Sequence, residues 1–263
     1  LSIFTRLDSW DYNVFELEER TNGNALFYTT YAIVHKLDLV NRLGLDDEVL
    51  RNFLTALQAG YHPNPYHNAT HAADVSHINY YILMQGGMKE KCKLAPEELL
   101  AAVIAGSIHD YDHPGVNNSF HTHAQSYLAT LYNDRSVLEN RHVSNTFELM
   151  KLPRFNILAS FSEDQRRDIR DTIIEMVLAT DMGLHGKFVA QWKRRIQENH
   201  HFEKKDDIRL ALGMVLKLAD MAHCLRQAEL SDKWADKQTT EAHLQGDAEK
   251  ALHLTVSPYM DRD

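Results

Sequence analysis

The sequence is short of most features that would take it out of the globular, water-facing class. It has two cysteines, Cys92 and Cys224, far apart and in no C-x-x-C pattern. That excludes a disulfide framework and a thiolate-rich structural zinc site, and makes a reducing, cytoplasmic compartment the expectation. The six prolines are scattered; no Pro/Gly/Ser linker marks a domain boundary, and there is no internal repeat or low-complexity tract. The longest uncharged apolar run, Leu99 to Ile108, has ten residues, whereas a membrane span needs about twenty. Alternating, turn-bounded β patterns are scarce. Positive charge is also short: 28 Lys+Arg stand against 37 Asp+Glu, a net −9, which offers no long-range attraction to DNA, RNA or an anionic membrane. The chain opens Leu-Ser-Ile-Phe, with neither an initiator Met nor a basic-then-apolar leader, and so reads as a fragment or processed form.

What is present is material for one helical core. Hydrophobic side chains make up 44% of 263 residues, and the mean hydropathy is −0.42. Periodicity predicts helix over Asn24–Val40, over Asp46–Leu57 with acids in its first turn, and over Leu99–His109 behind an Ala95-Pro96-Glu97-Glu98 start. It also predicts helix from Ser162-Glu163-Asp164 to Thr180, and over Asp206–Cys224. The expectation is all-α: a compact multi-helix bundle of roughly a dozen helices forming a single domain over residues 1–263.

Histidine is in excess, with 16 copies, eight of them between His62 and His123. In Tyr66-His67-Asn68-Ala69-Thr70-His71 a helix starting near Asn68 projects His71 from its first turns and leaves His67 just outside, near the same face. Taken alone, the pair also reads as two surface or capping histidines. The helix Leu99–Ile108 then delivers His109-Asp110-Tyr111-Asp112-His113-Pro114-Gly115-Val116-Asn117-Asn118. Two imidazoles and two carboxylates within five residues behind a buried helix are costly to desolvate unless a cation neutralises them. Such donors suit Zn²⁺, Mn²⁺, Fe or Mg²⁺. A third acid, Asp220, interrupts the apolar helix Leu210–Ala222 together with Lys217. Lys217 can snorkel on its long stem, whereas the short Asp220 cannot; pairing of Asp220 with Lys217, or a capping role, is the plain alternative. His71, His109, Asp110 and Asp220 make a two-His, two-Asp set from three helices, enough for one metal with room for water.

The order His71 … His109-Asp110 … Asp220 resembles the ligand order of the HD-type metallohydrolases. The Tyr-His-Asn, His-Ala-Ala-Asp-Val and His-Asp-x-Asp-His-Pro-Gly-x-Asn-Asn blocks resemble class I cyclic nucleotide phosphodiesterases in particular. Similarity continues through Ser136–Asn140, Leu178–Met182, Ala219-Asp220, Trp234 and Gln245-Gly246-Asp247 to Ser257-Pro258. The resemblance implies hydrolysis of 3',5'-cyclic nucleotides, cAMP and/or cGMP, to 5'-monophosphates by a metal-bridging hydroxide. His67 would be the general acid, and Glu241 the acid that holds it. His71, His109, Asp110 and Asp220 would hold the tighter metal, usually Zn²⁺. Asp110 would bridge to a second, Mg²⁺ or Mn²⁺, bound otherwise through waters. His113, Glu139, Thr180 and Asp181 would orient ligands and metal-bound water. A metal centre also gives a −9 chain a local positive site for an anionic substrate.

By itself Glu241 is a surface glutamate in a polar stretch. Tyr66, Met182 and Met221 flank these positions and could line the nucleotide pocket; for the methionines core packing is the alternative. His223 stands where some relatives place an Asn that touches the purine, in a run, Met221–Arg226, that departs from their Ser-Asn-Pro-like one. The family's purine-clamping glutamine and stacking phenylalanine lie beyond the match to Ser257-Pro258, so the domain is expected to lack its C-terminal helices and the resemblance implies no preference between cAMP and cGMP. His121 and His123 could join an enlarged site but read as solvated loop residues, and His142, His185 and the His200-His201 pair as solvent-facing. Two other readings remain: another HD-type nucleotide phosphohydrolase, or an inactive regulatory HD domain. The resemblance leaves room for regulatory domains and for homodimerisation.

Overall fold

A computed structural model describes residues 4–198, 202 and 204–263. These form fourteen α-helices and four 3-10 turns, with no strand among the described residues. The helices are α1 (Val14–Arg20), α2 (Ala25–Lys36), α3 (Leu39–Leu43), α4 (Asp47–Ala59), α5 (Ala69–Met84), α6 (Met88–Lys91) and α7 (Pro96–Ile108). They continue with α8 (Asn118–His123), α9 (Tyr127–Tyr132), α10 (Val137–Met150), α11 (Glu163–Leu178), α12 (His185–Gln197), α13 (Lys205–Met221) and α14 (Ala228–Ala251). None of them is long and apolar enough to cross a membrane.

Two helices form the centre, and their sequences show why. In α7 every residue from Leu99 to Ile108 is buried, and in α5 thirteen residues are, including Ala72, Ala73, Val75 and Ile78. A helix with no polar face, as α7 is, belongs inside; α5 is enclosed although it carries Asp74, Ser76, His77 and Asn79, whose side chains find partners within the protein. The small residues Ala101, Ala102, Ala105 and Gly106 let neighbours come close: Asn79 of α5 donates to the carbonyl of Ala102 at 2.8 Å. α5 packs on α2, α7 and α13, and α11 packs on α7 and α13. The long α14 crosses the outside, burying only spaced positions such as Leu230, Trp234 and Glu241. Gly246 is required there, because a Cβ would strike the carbonyl of Met260 where the tail passes over the helix.

Helix starts follow their caps. Asp46 accepts from the amides of Glu48 and Val49, Ser162 and Gln165 form a reciprocal capping box, and Glu98 accepts from the amide of Ala95. Ends deviate more. The single helix expected over Asn24–Val40 breaks after Lys36, because Asp38 takes a left-handed conformation (φ 55°) and starts α3 in a new direction. α11 stops at Leu178, not Thr180, and α13 gives way at Ala222 to a 3-10 turn, Ala222–Leu225.

Candidate metal and acid–base centre

The N-terminus of α5 sets the first two histidines. Asn68 caps the helix, its side-chain oxygen accepting from the amides of Thr70 and His71, while its Nδ2 donates to the carbonyl of Asn64. His71 therefore leaves the first turn pointing into the core, at 1% exposure. His109 terminates α7 and donates from Nδ1 to the carbonyl of Gly106 at 2.9 Å, which leaves the Nε2 lone pair of the neutral ring free to ligate a cation. The two Nε2 atoms stand 3.3 Å apart. Asp110 Oδ2 lies 3.3 Å from His71 Nε2 and 3.1 Å from His109 Nε2; Asp220 Oδ1, from the end of α13, lies at 3.2 and 3.4 Å. One ligand atom from each of the four falls within 4.8 Å of all the others. Asp110 Oδ2 is buried with no hydrogen-bond partner.

The electrostatics match that geometry. Burial opposes charge on His71 and His109, but the carboxylates of Asp110 and Asp220 outweigh it and raise both pKa values, His109's well above the ordinary range. Burial likewise pushes Asp110 and Asp220 up, and the two histidines overcome it and hold both below the usual carboxylate range. Among the described residues no lysine or arginine pairs with these four groups, so the histidines are the counter-charge of the two carboxylates. Asp220 does not pair with Lys217, whose ammonium goes to backbone carbonyls.

The loop after Asp110 is held by Asp112, itself in a left-handed conformation (φ 62°). Its carboxylate takes His62 Nε2 at 2.6 Å, Asn145 Nδ2 at 2.6 Å and Arg141 at 2.5 Å. Asn64 Nδ2 then donates to the carbonyls of both His67 and His113, stitching the two loops together. The His113 ring stacks between those of His67 (4.0 Å, 12°) and His142 (5.6 Å, 18°). Because His113 Nδ1 accepts from the amide of Gly115, the neutral ring carries its proton on Nε2; burial keeps its pKa well below normal.

His67 is half-buried and engages Glu241 through Nδ1, while Glu241 Oε2 accepts from the amides of Tyr66 (2.8 Å) and His67 (3.0 Å). Glu241 is 6% exposed, not on the surface; burial raises its pKa, but His67 and the two amides bring it below normal. Nε2 is the His67 nitrogen left for chemistry. Glu139 is half-buried and accepts from Asn118 Nδ2; desolvation, with Asp181 nearby, pushes its carboxyl up to about 7. Thr180 donates its hydroxyl to the carbonyl of Val177, and Asp181 accepts from Ser136 Oγ and the amide of Gly183.

Of the positions flanking the centre, Tyr66 is buried, its ring 4.6 Å from that of His71 and 5.6 Å from that of Trp234, its hydroxyl 3.0 Å from His223 Nδ1. Met182 is 58% exposed, and Met221 and His223 are half-buried. His142 does not face solvent: α10 packs it inside, where Nδ1 donates to the carbonyl of Tyr111 and Nε2 lies 3.8 Å from Asp110 Oδ1, with burial lowering its pKa to about 4. His121 is buried as well, bonded to Ser126, while His123 is exposed; neither reaches the four-residue group. His185 is half-buried at the start of α12, and His200 and His201 lie outside the described residues. The burial of His142 left no sequence signal, since α10 is polar on its other faces.

The family of 3',5'-cyclic nucleotide phosphodiesterases matches residues 66–263. The chain is 38% identical over 256 residues to the probable 3',5'-cyclic phosphodiesterase pde-1 of Caenorhabditis elegans, covering 97% of this chain and 38% of that protein. It is 38% identical over 264 residues to the human dual specificity calcium/calmodulin-dependent 3',5'-cyclic nucleotide phosphodiesterase 1B, covering 100% of this chain and 48% of that one. It thus spans less than half the length of these two relatives. In three dimensions it is similar to the phosphodiesterase domain of the RhoPDE fusion protein from the choanoflagellate Salpingoeca rosetta, with a TM-score of 0.89 at 27% identity, covering 98% of this chain and 80% of that one. Matched along three quarters of its length by that family's sequence pattern and nearly throughout by one of its folds, the chain belongs to the 3',5'-cyclic nucleotide phosphodiesterase family.

Proposed function

We propose that this chain hydrolyses 3',5'-cyclic nucleotides to 5'-nucleoside monophosphates, with two divalent cations and His67 as general acid. The reading is carried by one juxtaposition: the His71/His109/Asp110/Asp220 group lies beside the His67–Glu241 pair, with the His113 ring stacked on His67. The donor set fits a cation. His109 Nε2 has a lone pair because Nδ1 is the donor, Asp110 Oδ2 is a buried acceptor without a hydrogen, and two imidazoles with two carboxylates suit Zn²⁺. A second cation, Mg²⁺ or Mn²⁺, would share Asp110, with His113, Glu139, Thr180 and Asp181 orienting its surroundings. When bound, these cations acidify water and offset charge on the phosphoryl oxygens.

The chain's own residues do the rest. Glu241 binds Nδ1–H of His67, so the ring's other proton sits on Nε2, and the carboxylate stabilises the charged imidazolium. From Nε2 the proton passes to the departing ribose 3' oxygen. His113, neutral and stacked 4.0 Å away, fixes the plane of that ring without adding charge. Tyr66 holds His223 by a hydrogen bond, and His223, Met182 and Met221 form the approach for the nucleotide. A −9 chain can then receive an anion because its positive centre is local.

The test is release of 5'-monophosphate from cyclic AMP and cyclic GMP, with a linear nucleotide in parallel and a chelator in matched reactions. Cyclic substrate should be cleaved, and chelator should stop it. Cleavage of the linear nucleotide alone, or a metal-loaded protein inert to both cyclic nucleotides, would overturn the reading.

A further inference from the structure

Lys217 lies on α13 one turn before Asp220 and is 1% exposed, so its ammonium does not snorkel to water. It donates to the carbonyls of Ala179 (3.0 Å), Asp181 (3.3 Å) and Thr180 (3.4 Å), with Met182 Sδ at 3.7 Å. These residues follow directly on α11, which ends at Leu178. Ala179 caps α11, and Thr180 and Asp181 follow it, where carbonyls have no helical partner; the Asp181 carbonyl also accepts from the amide of Leu184 at 3.2 Å, so the buried ammonium serves above all the carbonyls of Ala179 and Thr180, which would otherwise be costly to enclose.

The contact joins two walls of the centre. One is α13 with Asp220; the other is the 179–182 segment with Thr180 and Asp181. From there the connection continues, since the Asp181 carboxylate accepts from Ser136 Oγ at 2.7 Å. Ser136, at φ 43°, starts α10, the helix that presents Glu139 and His142. Asp220, Thr180, Asp181, Glu139 and His142 come from three separate elements, and the chain Lys217–segment 179–181–Ser136 ties those elements together.

We propose that Lys217 is a positioning residue, a strut that sets the spacing between Asp220 and the Thr180/Asp181/Glu139 side and thereby the affinity for the second cation. The proposal rests on the reading of the centre given above. An apolar side chain of the same length would fill the same space while leaving the carbonyls of Ala179 and Thr180 without this donor. Packing alone therefore does not explain a lysine at this position.

Lys217→Met keeps the stem and removes the donors. Mn²⁺ uptake is read from the electron paramagnetic resonance signal of the free ion, well below the melting temperature of each variant, beside kcat and KM. Affinity at the weaker site should fall about 10–100-fold, with kcat falling in parallel and KM little changed. Lys217→Gln, which retains two N–H donors, should lie between. Mn²⁺ affinity and kcat equal to the parent's, with only the melting temperature lowered, would overturn the proposal. If Lys217→Met does not fold, Lys217→Gln and Ser136→Ala, which cuts the strut at its far end, decide by the same titration; parental affinity in both overturns it. A parent chain that takes up no Mn²⁺ would instead overturn the reading of the centre, and this proposal with it.

Discussion

Helix α5 serves two buried polar clusters a turn apart, and their carboxylates find counter-charge in different ways. His71 faces Asp110 and Asp220, whose partners are histidines. Asp74, three residues on, pairs with Arg226 at 2.5 Å. Arg226 also donates to the carbonyl of Trp10 and to His77 Nδ1, and His77 passes its Nε2–H to the carbonyl of Leu7 while stacking on Tyr12 (4.0 Å, 9°). The second cluster carries a permanent cation, so its charge is balanced by the fold at any pH where Arg is charged. The first can be balanced only by protons on His71 and His109 or by a metal. The comparison teaches that burial of carboxylates is not by itself a sign of chemistry; the missing permanent counter-charge is.

The largest way to break this contrast is through His67. His67→Ala should lower turnover by about 10²–10⁴-fold while metal content stays at the parental value. Undiminished turnover would remove His67 as the proton donor. The second cluster should respond in the opposite currency. Arg226→Met leaves Asp74 buried and unpaired and should lose about 3–5 kcal/mol of stability, read by denaturant unfolding. Asp110→Ala in chelated protein removes one of two like charges and should cost far less; an equal loss would make both clusters structural.

Metal linkage sharpens the difference further. Saturating metal should stabilise the parent by about 4 kcal/mol at a thousand times Kd, and Asp220→Ala should abolish that shift. Because the folded pKa values of His71 and His109 are raised, protons compete with the cation, and the stabilisation should shrink as pH falls from 8 to 6. The shallowest pH dependence belongs to His77, a single proton where the metal displaces two, which burial and Arg226 hold neutral down to about 3. The unfolded chain takes up a proton near the ordinary histidine pKa and the folded chain does not, so stability falls as pH drops from about 6.5 toward 3, by at most about 1.4 kcal/mol per pH unit. In chelated protein His77→Gln should flatten that acid limb; an unchanged slope would contradict it.

The parts of the centre visible in the sequence were those with local contrast. His109 and Asp110 follow ten uncharged apolar residues, Asp220 is a short acid inside an apolar helix, and Asn68 announces the helix that carries His71. Glu241 had no such contrast. It is buried because the amides of Tyr66 and His67 and the His67 ring meet it from 174 or 175 residues away in sequence. His142 and Lys217 read as solvent-seeking from their neighbours and are enclosed by segments far from them. The break at Asp38 was equally hidden, since its neighbours on both sides favour helix.

The sequence by itself determined that the chain is all-α, that α7 is buried, and which two histidines and two aspartates could meet, because periodicity, caps and an acid in an apolar run are written in neighbouring residues. Tertiary structure alone decided which polar groups lose their water and who replaces it. Arg226 went to Asp74, Lys217 to the end of α11, His142 to the interior and Glu241 to His67. Desolvation and its compensation depend on what the fold brings together from 31 to 174 residues away in these four cases, and neither has a signature along the chain.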